Sequence, residues 1–118
     1  IKVKNSKIKL LSIFKKFKKN NFRIIGYGAT AKSCTVLNYC GIGSTYIKYF
    51  VDTTSYKIGK YLPGSKILIK KYNKLKKDNV DVVFLGAWNF KDEIFKKERD
   101  FIRKGGKFIT HIPLPKII

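Results

Sequence analysis

Apolar residues recur along this chain in two rhythms, one helical and one extended, and their alternation lays out the fold. Leu10, Ile13, Phe14 and Phe17 fall at i, i+3, i+4 and i+7. That spacing predicts an amphipathic helix over residues 1–20, with eight Lys and no acid around the apolar stripe. Ile24 and Ile25 form a short strand run into Gly26-Tyr27-Gly28, and Ala29, Ala31, Val36 and Leu37 continue as a helix that Gly41-Ile42-Gly43 ends. Tyr46–Asp52 and Lys66–Ile69 predict the second and third strands, and Tyr72–Lys77 a short helix. Val80–Leu85 is apolar throughout, as a central parallel strand covered on both faces must be. A helix over Phe90–Arg103 carries Ile94, Phe95, Phe101 and Ile102 on its inner side, and Gly105-Gly106 stops it. Lys107–Ile112 is the fifth strand, which Pro113 and Pro115 bar from continuing.

Strands alternating with helices imply parallel pairing and right-handed crossovers. The expected fold is α/β, a Rossmann-like three-layer domain of about five parallel strands in the order 3-2-1-4-5, preceded by the amphipathic helix. In that order the loops Gly26–Lys32, Asp52–Lys57, Gly86–Asn89 and His111–Pro113 converge beyond the carboxyl ends of the strands. The helix over residues 1–20 has two possible uses. Docking its apolar stripe on a sheet or a preceding domain is preferred to laying its Lys face on anionic lipid.

The first strand-turn-helix unit carries the sharpest chemical signal. Gly26, Gly28 and Ala31 match Gly-x-Gly-x-x-Ala, in which the first two glycines free the backbone and the third small residue lets helix and strand pack closely. A helix starting there presents N–H groups and a positive dipole end to an anion, with Lys32 adding a full charge. Asp52 follows Gly28 by the interval at which dinucleotide folds place an acid on the ribose hydroxyls. A phosphate-bearing nucleotide is the expected ligand.

Composition narrows the alternatives. The 118 residues, 44% hydrophobic, suit one domain, and no apolar run reaches the roughly 18 to 20 residues needed to span a bilayer. No signal peptide is visible, so a cytoplasmic protein without membrane partners is expected. The net charge of +20 rests almost wholly on Lys, with Arg only at 23, 99 and 103. Base readout favours Arg, and Lys joined by many Ile, Asn and Tyr matches an AT-rich coding sequence, so nucleic acid is disfavoured as a partner. Cys34 and Cys40 lie about 240° apart on a helix, which suits neither a disulfide nor a metal clip. With one His, a zinc site within the chain is not expected.

Catalytic groups are scarce. His111 stands at a strand end as a base or, more commonly, a structural residue. Asp52 is the only acid at the expected crevice. Trp88 is either a stacking platform or a core wedge, and Asn89 either a ligand contact or an N-cap with Asp92 three residues on. Asn38 is a polar residue among apolar ones, facing the crevice or solvent. Lys32 and Lys57 are the lysines the topology brings nearest the turn.

With these residues in view, the chain resembles the C-terminal domain of S-adenosylmethionine-dependent sugar C-methyltransferases. The resemblance is carried, in order, by Gly26-Tyr-Gly-Ala-Thr-Ala-Lys32, Leu37-Asn-Tyr-Cys-Gly-Ile42, Asp52, Lys57-Ile-Gly-Lys-Tyr-Leu-Pro-Gly64, Ala87-Trp-Asn89, Gly105-Gly-Lys-Phe-Ile109 and Ile112-Pro113. The family pattern usually has Pro where Thr30 stands and Gly near Ser33. The resemblance runs from about Phe22 to the end, leaving the amphipathic helix at 1–20 as a linker, and it implies at 21–118 a Rossmann-like domain that binds a nucleotide-diphosphate sugar against an upstream catalytic domain of the same polypeptide. It implies no catalytic or metal residue here, with S-adenosylmethionine and zinc expected only in the full-length enzyme. By position it assigns Gly26, Tyr27, Gly28, Ala29, Lys32, Asn38, Lys57, Trp88 and Asn89 to substrate. An NAD-type dinucleotide-binding module of an oxidoreductase or sensor is the alternative.

Overall fold

The structure, a computed structural model, describes residues 2–73, 75, 77–111 and 115–118. Its elements are α1 (Lys2–Lys19), β1 (Ile24–Tyr27), α2 (Ala31–Cys40), β2 (Phe50–Asp52), β3 (Ile69–Lys71), β4 (Val82–Leu85), α3 (Lys91–Lys97), α4 (Arg99–Arg103), β5 (Lys107–Thr110) and β6 (Lys116–Ile117). Single 3-10 turns occupy Ser55–Lys57 and Trp88–Phe90.

One mixed sheet of six strands runs in the order β3-β2-β1-β4-β5-β6. The first five are parallel and take the expected order, with Gly26 opposite Phe50 on one side and Phe84 on the other. The expectation of about five strands, all parallel, is corrected by β6, which pairs antiparallel with β5. The link between them is only a few residues, whereas a parallel return needs a crossover of a dozen or more.

Because side chains alternate across a strand, each strand feeds two cores. Ile24, Phe50, Val82, Phe84 and Ile109 face α1 and α2, where Leu10, Phe14, Phe17, Leu37 and Cys40 meet them. Ile25, Val51, Val83, Leu85 and Phe108 face the other way, onto Leu75, Val80 and Ile94. The stripe on α1 is therefore spent inside this fold, with Phe14 fully buried against Phe84.

Several boundaries differ from the expectation. β2 begins at Phe50, although the chain already runs beside β1 before it, Lys48 N–H donating to Ile24 O (2.9 Å). The third strand cannot include Lys66, whose φ of 57° places it in the left-handed region. Residues 59–69 instead fold back on themselves, Leu62 N–H donating to Ile67 O and Ile69 N–H to Lys60 O, each at 2.8 Å. The helix expected over Tyr72–Lys77 includes two residues outside the described set, and its described members at 75 and 77 form a turn. Ile112 and Pro113 also lie outside the described residues. The helix expected over Phe90–Arg103 is broken at Glu98 into α3 and α4.

Candidate functional site

A cleft of about 390 Å³ opens where the carboxyl ends of β1, β2 and β4 meet, at the edge the strand order designates. Tyr27, Gly28 and Thr30 form one wall, Val51 to Thr54 and Lys57 another, and Ala87, Phe90, Glu93, Ile94 and Lys97 the third, with Tyr72 at the base. A larger cavity of about 800 Å³ lies beside the amino ends of β4 and β5, bordered by Phe22, Asp81, Glu98, Phe101 and Lys107, and shares Tyr72 and Lys97 with the first. The smaller cleft is the candidate site, because it gathers the loop backbone and helix start that a parallel sheet offers to ligands.

The glycine turn is built tightly. A Cβ on Gly26 would lie 2.4 Å from the Phe50 ring, so its bareness makes room for a core aromatic on the neighbouring strand. Gly28 has φ +87°, and a Cβ there would lie 2.3 Å from Cβ of Ala87. It faces the cleft but presses against the turn after β4.

Thr30 caps α2 with extended backbone (φ −92°, ψ 158°) and forms a capping box with Ser33. Ser33 N–H donates to Thr30 Oγ1 and Thr30 N–H to Ser33 Oγ, each at 3.2 Å. Thr30 Oγ1 also donates to Gly86 O at 3.1 Å, tying α2 to the end of β4. The two positions that depart from the resemblance pattern are thus the two that build this cap.

Asp52 closes the turn from the other side. Its Oδ2 accepts from Ala29 N–H at 2.8 Å and its Oδ1 from Thr54 N–H at 2.9 Å. Lys57 Nζ donates to Ala29 O at 2.9 Å and stands 4.0 Å from the same carboxylate. Burial alone raises the Asp52 pKa, but the hydrogen bonds from Thr54 and Ala29, with Lys57 nearby, outweigh it and hold the carboxyl below its ordinary range. The side chain is only 8% exposed.

Behind Tyr27 and Tyr72, Glu98, which lines the larger cavity, is buried and its Oε2 accepts from the hydroxyls of Tyr27 (2.8 Å) and Tyr72 (2.6 Å). Burial first, then the bond to this carboxylate, raises both phenol pKa values well above the ordinary one, so both stay protonated donors. Lys97 Nζ covers the Tyr72 ring at 3.7 Å.

Of the nine residues assigned from sequence, Tyr27, Gly28 and Lys57 line the cleft, and Ala29 is held beside it by Asp52 and Lys57. Gly26 is in the core. Asn38 donates to Pro63 O at 3.0 Å and fits under Gly64, so it pins the 59–69 fold-back. Lys32 is exposed near His111, and Trp88 packs into the second core with Lys91 over its ring. Asn89 is exposed inside the 3-10 turn; the cap position of α3 is Phe90, without a side-chain cap. Cys40 is buried, while Cys34 is half-buried with its thiol donating to Pro63 O. His111 stacks on Phe84, and its buried Nε2 has no partner among the described residues. Burial, then Lys32, pushes its pKa down to about 4.

Tyr72, Phe90 and Glu93 were not legible as residues of the cleft, nor Glu98 as the acceptor that fixes two of its tyrosines. Glu98 sits in a charged helical stretch, where an acid ordinarily faces solvent.

The class the fold defines is an α/β domain with a mostly parallel central sheet and a cleft at its strand tips, and the fold alone leaves its chemistry open. Residues 1–113 match the family model described as the C-methyltransferase C-terminal domain. The chain belongs to that family, and the match includes α1, which the resemblance from Phe22 onward left out. It is also 41% identical over 95 residues to C-methyltransferase NovU of Streptomyces niveus. That alignment covers 80% of this chain and 23% of NovU, so the chain corresponds to under a quarter of that relative's length.

Proposed function

We propose that this domain binds the nucleotide-linked sugar of a sugar C-methyltransferase, in the cleft at the tips of β1, β2 and β4. The reading treats the parallel order 3-2-1-4-5 as Rossmann-like, with β6 as an added antiparallel edge. The observation that carries it is the cleft itself, walled by Tyr27, Asp52, Thr54, Tyr72 and Phe90 within a chain of this family.

Methyl transfer is assigned to other parts of a longer polypeptide, which hold S-adenosylmethionine and zinc. Among the described residues no three His, Cys, Asp or Glu side chains gather as a metal set, so no step is assigned to a metal here. What these residues do is hold and orient: Tyr27 and Tyr72 are fixed by Glu98, and Thr53 and Thr54 offer hydroxyls beside an ionised Asp52.

The dinucleotide alternative has less support. It needs Asp52 on ribose hydroxyls and the glycine turn on a pyrophosphate, whereas Asp52 here bonds the turn's own amide.

Calorimetric titration of this chain with a thymidine-diphosphate sugar is the test. Heat that saturates in the millimolar range or below, and is lost on Phe90→Ala with Thr54→Ala, is the expected result. A folded protein giving no heat at millimolar ligand removes the reading.

A further inference from the structure

A glycine turn before a helix ordinarily reads as a phosphate cradle, because its N–H groups and dipole await an anion. Here the protein supplies the anion. Asp52 takes the Ala29 N–H, and the Thr30–Ser33 box takes those of Thr30 and Ser33. Lys57, the nearest candidate cation, is committed to Ala29 O and to Asp52. Gly28 gives no open approach to the backbone, since Ala87 fills the space a Cβ would take. A phosphate entering this corner meets a fixed carboxylate and finds the amides of Ala29, Thr30 and Ser33 already bonded.

We infer that Asp52 is the specificity-determining residue of the cleft: by occupying the glycine-turn amide it excludes phosphate from the start of α2 and leaves the cleft to an uncharged, hydroxyl-bearing ring of the ligand. This rests on the reading that the cleft takes a sugar nucleotide, and deepens it by stating which end enters. The remaining walls fit such a ring. Phe90 is exposed and flat, Tyr27 and Tyr72 hold their rings in place, Thr53 and Thr54 carry hydroxyls, and the two other charged residues of the lining, Glu93 and Lys97, are opposite in sign, with Lys97 lying over the Tyr72 ring. The diphosphate of the ligand then lies outside the turn.

The test is an amide-resolved NMR titration at pH 7 with inorganic pyrophosphate, on wild type and on Asp52→Asn and Asp52→Ser. Wild-type amides from Gly28 to Ser33 are expected to stay unmoved at millimolar pyrophosphate. Removing the like charge is expected to make them shift and to raise pyrophosphate affinity at least about fivefold, equivalent to about 1 kcal/mol. Shifts of those amides in wild type overturn the inference, and so does a folded variant that gains nothing. If neither variant folds, a thymidine-diphosphate sugar on wild type decides. Shifts at Thr53, Thr54, Tyr72 and Phe90 without movement at Ala29 to Lys32 support the inference, and movement at Ala29 to Lys32 overturns it. A wild type blind to the sugar nucleotide at every amide sinks the proposed function instead, and the pyrophosphate arm still reports on Asp52.

Discussion

Gly26 and Gly28 look alike in the motif and do different work. Gly26 is a hole filled by the Phe50 ring, so Gly26→Ala forces a core aromatic aside at a cost of about 1–3 kcal/mol. Gly28→Ala adds to its clash with Ala87 the left-handed backbone, itself about 1–2 kcal/mol for an L-residue. Urea denaturation is expected to rank both below wild type, Gly28→Ala lower. His111 makes a separate mark on the pH profile. Its pKa falls from 6.5 to about 4 on folding, so in that window the unfolded chain binds the extra proton. Its contribution to stability is complete above pH 6.5, falls as the pH drops toward about 4, and changes no further below. Thermal melts of wild type minus His111→Phe should show that slope. The depressed Asp52 carboxyl adds stability that is complete above its ordinary 3.8 and is lost as the pH falls below that value.

At the scale of elements, the last helical segment shows how one buried side chain overrides a pattern. A continuous helix over residues 90–103 satisfies its apolar spacing, yet the chain breaks at Glu98 (φ −102°, ψ 25°), whose carboxylate turns inward to two tyrosines. Glu98→Ala strands those hydroxyls and is expected to cost about 1–3 kcal/mol. Glu98→Gln keeps an acceptor oxygen and should lose less in the same denaturation assay. The first helix gives the opposite lesson, since its apolar stripe is used as its spacing demands. Phe14 has no exposed surface and touches Phe84 and Tyr46, so Phe14→Ala is expected to cost about 3–5 kcal/mol by chemical denaturation. That places α1 in the core of the fold, and none of its length is long and apolar enough to cross a membrane.

For the whole molecule, a net charge of +20 on 118 residues opposes compactness by self-repulsion. Ion pairs such as the partly buried Lys57–Asp52 and the largely exposed Lys91–Asp92 and Arg103–Asp100 contribute too little to offset it. Screening shortens from about 10 Å at 0.1 M salt to about 3 Å at 1 M, so the melting temperature should rise across that range in sodium chloride. A flat or falling trend would show that the lysines are already spaced beyond mutual reach. The same field raises the concentration of any anion near the protein surface.

Periodicity and glycine punctuation were enough to read the order of five strands, the first two helices and the edge where a cleft opens, because burial on both faces of a parallel sheet leaves a continuous apolar signature; the helix expected over Tyr72–Lys77 and the unbroken one over Phe90–Arg103 were not read rightly where the residues are described. The sixth strand escaped that reading, being two residues long with no pattern to show. What only the tertiary structure decided was the partner of each polar group. Asp52 could equally have faced ribose hydroxyls or its own backbone, Glu98 solvent or two tyrosines, Asn38 a ligand or Pro63. Those choices depend on distances between residues far apart in the chain, and a hydrogen bond of about 3 Å leaves no trace in local spacing.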